Sequence, residues 1–204
     1  MNLTLDSLRD KISYQGLSLG AVAMLCAAAL VVGNNLTREG IAQAEAADLA
    51  ASLAQVLPAG SSDNDLLADT AKVDAGGTAP VTVYRARKAG KVTGVVFQMA
   101  QRGYAADIVV LMGVDMDGRL LGARVVKHAE TPGLGDKIEI AKAKWILDFD
   151  GKSLTDPPPE KWGVKKDGGI FDQFAGATIT PRAVVKAVKS GLEFFAAHRE
   201  EILK

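Results

Sequence analysis

The chain has 204 residues, enough for one well-buried domain of roughly 100–200 residues plus additional segments. Acidic and basic residues balance at 24 each, so the positive field that nucleic-acid binding normally requires is missing and a nucleic-acid partner is disfavoured. Cys26 is the only cysteine, which excludes an internal disulfide and any thiolate-held zinc or iron–sulfur centre within this chain; a redox cofactor has to be held by other groups.

From Leu17 to Gly33 there is no charge, and with Ile12 to Tyr14 before it and Leu36 after it the run reaches the ~20 residues of a spanning helix. It exceeds the apolar core of about 7–15 residues in a signal peptide, and no A-x-A site follows. The segment therefore reads as one uncleaved membrane anchor. Arg9, Lys11 and the terminal amine precede it and only Arg38 follows closely, so the positive-inside bias places the N-terminus in the cytoplasm and the rest of the chain outside. Residues 38–57 show near-helical spacing of Ile41, Leu49, Leu53 and Val56, ended by Pro58-Ala-Gly60, which predicts an amphipathic helix leaving the membrane. Residues 61–65 are turn-like, and 66–78 are mixed and end at Gly76-Gly77.

From Val81 onward the period changes. Residues 81–86, 92–99, 106–115 and 120–127 are rich in Val, Leu, Ile and Tyr, separated by Lys88-Ala-Gly90, Gln101-Arg-Gly103 and Asp117-Gly118, which predicts an antiparallel meander. A sheet with one buried face needs a cover, and the helical stretches 137–145 and 181–203 are the candidates, so the class is α+β. The chain divides accordingly into a cytoplasmic N-terminus and anchor (1–36), a helical and loop connector (37–80) and a sheet domain (81–204).

Two constellations stand out as candidate chemistry. In His128-Ala-Glu130-Thr131-Pro-Gly133-Leu134-Gly135, proline and two glycines enforce a tight loop whose backbone N–H groups can face a flat ligand. The plainer reading is a strand-to-helix turn, with Asp136 capping a helix that begins at Lys137. In Asp172-Gln-Phe-Ala-Gly176-Ala177-Thr178-Ile-Thr180-Pro181, Thr180 and Pro181 read as N-cap and first residue of a helix. Thr178 then lies just ahead of unpaired N–H donors and the positive end of the helix dipole, a seat for phosphate. The residues alone leave open that this is merely a loop feeding a capped helix. There is no G-x-G-x-x-G fingerprint after a strand, and no stand-alone catalytic site is expected.

The second segment resembles the flavinylation motif of the FMN-binding domain family: an Asp, two free positions, a Ser or Thr, then Gly-Ala-Thr. Asp172, Gly176, Ala177 and Thr178 match, while Ala175 stands where the family usually has Ser or Thr. Residues 120–190, including Glu130 to Gly135, Trp162 to Gly169 and Thr178 to Val185, are most similar to the G subunits of Rnf (Rsx) electron-transport complexes, and the anchor and length agree. The C subunits of sodium-translocating NADH:quinone reductases have a related motif and anchor.

The resemblance implies FMN held covalently through a phosphoester to Thr178, installed from FAD by a dedicated flavin transferase outside the cytoplasm. Gly176, Ala177, Glu130, Thr131, Gly133, Leu134, Gly135 and Thr180 would complete the cofactor site. It further implies an electron carrier on the periplasmic side of the inner membrane, partnered by the other subunits of an ion-translocating oxidoreductase complex. A membrane-tethered binding protein without cofactor is the contrasting possibility.

Overall fold

The computed structural model describes residues 12–74, 76 and 80–203. Arg9 and Lys11, which carry the expected orientation, and Gly77 lie outside the described residues. The chain forms two compact units, residues 1–48 and 49–204.

The two helical patterns read before residue 58 form one element, α1 (Ile12–Gln55). Pro58, which lacks an N–H and cannot extend a helix, follows closely. In the first unit large apolar side chains such as Leu17, Leu19, Met24, Leu25 and Leu30 are more than 70% exposed. Among the described residues this helix is uncovered along its apolar stretch, and it is long and apolar enough to cross a bilayer.

The second unit is built on a five-stranded antiparallel meander: β1 (Thr70–Val73), β2 (Val81–Lys88), β3 (Lys91–Arg102), β4 (Asp107–Asp115) and β5 (Leu120–Lys127), in that spatial order. Four strands match the alternating runs. The fifth, β1, comes from the mixed stretch before Gly76 and is held at the edge by Asp69, whose carboxylate bonds Arg85 Nε at 2.7 Å and Arg87 Nε at 2.5 Å. The β2–β3 hairpin closes on Ala89 (φ +50°) and Gly90 (φ +77°), the doubly left-handed geometry that matches strand twist. Gln101 and Arg102, expected in a turn, pair with Ile108 and Asp107 at the end of β3.

Both faces of the sheet are covered. Alternate residues Val95, Phe97, Val110, Met112 and Val114 face a core completed by α2 (Ile179–Ile202), which contributes Val184, Val188, Leu192 and Phe195. The intervening Val96 and Leu111 join Leu53 and Val56 in a second cluster. Gly113 and Gly122 permit this, because a Cβ at either position would meet the Val56 backbone, at 2.3 Å (Val56 O) and 3.1 Å (Val56 Cα) respectively. Residues 49–57 thus pack as a lid on the sheet.

The helix expected over 137–145 is absent. The chain runs instead through a 3-10 turn (Asp136–Ile138), an irregular stretch and a second 3-10 run (Lys144–Phe149) separated by an extended Ala143. Asp136 forms no cap. A nine-residue helix has little intrinsic stability, and here tertiary tethers outweigh it: His128 Nε2 holds Glu139 at 2.9 Å, and the Trp145 indole donates to the Asp172 carbonyl at 2.9 Å.

Candidate functional site

Three segments far apart in sequence meet at the start of α2: the β3–β4 turn, the loop after β5, and residues 171–178. The last is fixed from below by an aromatic cluster. Phe149 stacks on Phe171 with centroids 4.3 Å apart, and Trp145 meets Phe174 edge-on at 5.2 Å. Above these rings the chain turns tightly, with the Ala177 N–H donating to the Phe174 carbonyl at 3.1 Å and Gly176 at φ +80°. A residue other than glycine is strained there.

This turn delivers Thr178, half-exposed, to the N-cap position of α2, yet its hydroxyl makes no capping bond. Nearby, the first-turn N–H groups of Ile179 and Thr180 lack intrahelical acceptors by helix geometry, and Pro181 has no N–H. Arg182 in the next position ties α2 to the preceding loop, its Nε and Nη2 reaching the Asp167 carboxylate at 2.5 and 2.6 Å. The guanidinium holds that carboxyl below the usual range.

Thr180 is not the cap that its sequence context suggests. It is 1% exposed and donates its hydroxyl to Glu130 Oε2. Glu130, itself 5% exposed, accepts the N–H groups of Tyr104 and Ala105 on its other oxygen at 3.0 and 3.1 Å. One buried carboxylate therefore joins the β3–β4 turn, the loop after β5 and the helix start. Burying it is tolerable because three donors replace its water. His128 sets up this arrangement: its Nδ1 accepts the Glu130 N–H at 3.1 Å, so Nε2 carries the proton offered to Glu139.

The loop 130–135 corrects another expectation. Its amides were candidates for ligand binding, but Leu134 and Gly135 both donate to the Thr131 carbonyl, at 3.1 and 3.0 Å, and Glu130 donates to His128. Only Gly133 needs a positive φ, at +78°. Gly135 has an ordinary φ of −86° and is small for a different reason: a Cβ there would lie 2.9 Å from Glu130 Cβ and 3.0 Å from Thr180 Oγ1. What this loop offers outward is the Leu134 side chain.

A cavity of about 440 Å3 opens at this junction, lined by Glu130, Thr131, Leu134, Gly135, Gly176, Ala177, Thr178 and Thr180, together with Tyr104 and Ile179. Eight of the nine sequence-chosen positions line it; Gly133 shapes the loop behind. Tyr104 and Ile179 escaped notice. The available signals were an aromatic beside Gly103 in a polar turn and an isoleucine flanked by two threonines. Asp172 points elsewhere, its carboxylate pairing with Lys165 Nζ at 2.6 Å in an exposed position, so Lys165 is engaged with the motif's own acid.

The FMN-binding domain family matches residues 103–193, a span containing every residue lining the cavity, and the RnfG N-terminal region matches residues 1–56. The G subunit of the ion-translocating oxidoreductase complex of Stutzerimonas stutzeri is 52% identical over 191 residues, covering 94% of this chain and 84% of that protein. The chain belongs to this G-subunit family. Another member, from Pseudomonas aeruginosa, is 47% identical over 200 residues, with 96% of this chain and 94% of the relative covered. Among solved structures, NqrC of Shewanella oneidensis is similar with a TM-score of 0.49 and 23% identity, over 70% of this chain and 71% of the other. In this member of the G-subunit family, then, the cavity sits inside the segment that carries the FMN-binding domain.

Proposed function

We propose that this chain is the FMN-carrying, electron-relaying subunit of a membrane-bound ion-translocating oxidoreductase complex, with FMN esterified to Thr178. The observation that carries the reading is the Thr178 hydroxyl: it belongs to the N-cap residue, makes no capping bond, and its residue lines a cavity together with Gly176 and Ala177 of the same motif. An N-cap threonine that forgoes its cap gives up about 1 kcal/mol of helix stability. A phosphoryl group on that oxygen would instead receive the N–H donors and the positive dipole end of α2.

The residues present fit such a group. Gly176 and Ala177 leave the approach to Thr178 open, with only the Leu134 side chain within 4 Å of a Cβ built at Gly176. In attachment from FAD, the Thr178 Oγ1–phosphorus bond forms as the pyrophosphate P–O bond breaks. AMP leaves, and the hydroxyl proton passes to a base of the flavin transferase. Bound there, FMN would supply reversible electron transfer at its isoalloxazine. The chain's part is to hold the phosphoryl end at α2 and keep the cavity walls fixed through Glu130. The other subunits of the complex are the electron-transfer partners, and α1 anchors the chain in the inner membrane with the chain from Arg38 to Lys204 on the periplasmic side.

Intact mass of the protein from its native membrane tests attachment. The mass should exceed the sequence mass by FMN minus water, Thr178→Ala should abolish the increase, and Thr178→Ser should retain it wholly or in part. A version lacking residues 1–36 should stay unmodified in the cytoplasm and become modified when exported to a periplasm containing the transferase. An adduct surviving in Thr178→Ala overturns the site; an adduct formed on the cytoplasmic version overturns the sidedness.

A further inference from the structure

Among the described residues of the second unit, six large apolar side chains are exposed: Tyr104, Val126, Leu134, Ile140, Ile170 and Ile179. Three of these, Tyr104 at 67%, Leu134 at 44% and Ile179 at 47%, line the Thr178 cavity, although they come from three different segments. Isolated apolar side chains on a surface need no explanation, but convergence on one concave site does. The cavity's only charged lining residue is Glu130, and both of its oxygens already accept hydrogen bonds. The mouth therefore offers flat apolar contact and no free countercharge, which suits an uncharged heteroaromatic ring.

Tyr104 is also held in place. Its N–H donates to Glu130 Oε1 at 3.0 Å, and a Cβ at the preceding Gly103 would come within 2.6 Å of the same oxygen and 2.8 Å of Ile108. Gly103 thus lets the turn close on the buried Glu130 carboxylate. The carboxylate in turn fixes the stem of an exposed tyrosine at the rim.

We propose that Tyr104, with Leu134 and Ile179, forms the seat of the isoalloxazine, the Tyr104 phenol packing against the flavin ring. This rests on attachment at Thr178: the tether brings the ring to the cavity, and the three side chains decide where it settles. Tyr104 is then a contact residue for the cofactor, and Glu130 a positioning residue acting through it.

Full-length protein coproduced with the flavin transferase provides the test, as wild type, Tyr104→Phe, Tyr104→Leu and, as a control outside the cavity, Ile170→Ala. Covalent flavin is quantified by mass, and flavin fluorescence is read in the folded protein and again after denaturation in guanidinium. A phenol in contact with an excited flavin donates an electron that promptly returns, quenching emission. Wild type and Ile170→Ala should be dim when folded and bright when unfolded.

Tyr104→Leu should be bright in both states, because loss of an aromatic platform lowers the docked-to-free ratio of a stacked ring by roughly fivefold or more. Tyr104→Phe keeps the shape and removes the electron-rich phenol, so it too should brighten while keeping its covalent flavin; it decides the matter if the leucine variant folds or loads poorly. Flavin present in wild type and Tyr104→Phe with equal folded-state emission overturns the Tyr104 contact alone. No covalent flavin in wild type overturns the attachment and this inference with it.

Discussion

Thr180→Val isolates the hydroxyl that joins α2 to Glu130. Valine matches threonine in size, so no cavity opens in a position that is 1% exposed, and the change removes one donor from a carboxylate that is 5% exposed. The two N–H bonds from Tyr104 and Ala105 remain on the other oxygen. A hydrogen bond to a carboxylate contributes about 1.5–3 kcal/mol, and the group left behind is buried, so a loss of about 2 kcal/mol is expected. For a unit of this size that corresponds to a melting temperature lower by roughly 4–8 °C.

A second substitution separates this arrangement from helix capping. Aspartate is as good an N-cap as threonine, so Thr180→Asp would leave stability unchanged if Thr180 capped α2. In the observed geometry it sets a second carboxylate against the buried Glu130, and the loss should exceed that of Thr180→Val. Thermal and urea unfolding of the full-length protein in detergent, followed by the fluorescence of Trp145 and Trp162, reads both variants. Wild-type stability in Thr180→Asp, or a change below about 0.5 kcal/mol in Thr180→Val, would refute the Glu130 account. A double-mutant cycle with Glu130→Gln should be non-additive, since the two groups are in direct contact.

Gly135→Val should destabilise the same junction by about 1–3 kcal/mol, the usual cost of overpacking, because its Cβ would press on Glu130 Cβ at 2.9 Å; unchanged melting temperature and flavin loading would remove Gly135 from the site's framework. Acid should loosen the edge strand β1. The hydrogen bond from Arg87, and then that from Arg85, hold the Asp69 carboxyl below its ordinary 3.8. A lowered folded-state value means the contribution is present in full above 3.8 and disappears as pH falls through the lower folded-state value. Amide exchange in β1 should therefore accelerate below that pH in wild type, whereas Asp69→Asn should show fast exchange already at neutral pH; identical profiles would refute the role of Asp69.

The sequence by itself determined the features that depend on local pattern. Uninterrupted apolar residues marked the first part of α1, period-two runs marked β2 to β5, and Ala89-Gly90 marked a hairpin, because strand and turn preferences are set within a few residues. The segment from Asp172 to Thr178 stood out only through its resemblance to a flavinylation motif, since its residues alone left a loop feeding a capped helix; Gly176, Ala177 and Thr178 of that segment line the cavity. Tertiary structure decided where a local preference met a distant partner. Strand β1 exists because Asp69 meets Arg85 and Arg87 across the sheet edge. The stretch 136–149 is not a helix because His128 and Asp172 hold Glu139 and Trp145. Residues 49–57 cover the sheet because Gly113 and Gly122 leave room for Val56. Thr180 is the clearest case: Thr-Pro is a strong capping signal, yet its hydroxyl goes to a carboxylate 50 residues away. A buried acceptor gains more from that donor than an exposed helix end does, and only the folded chain brings the two together.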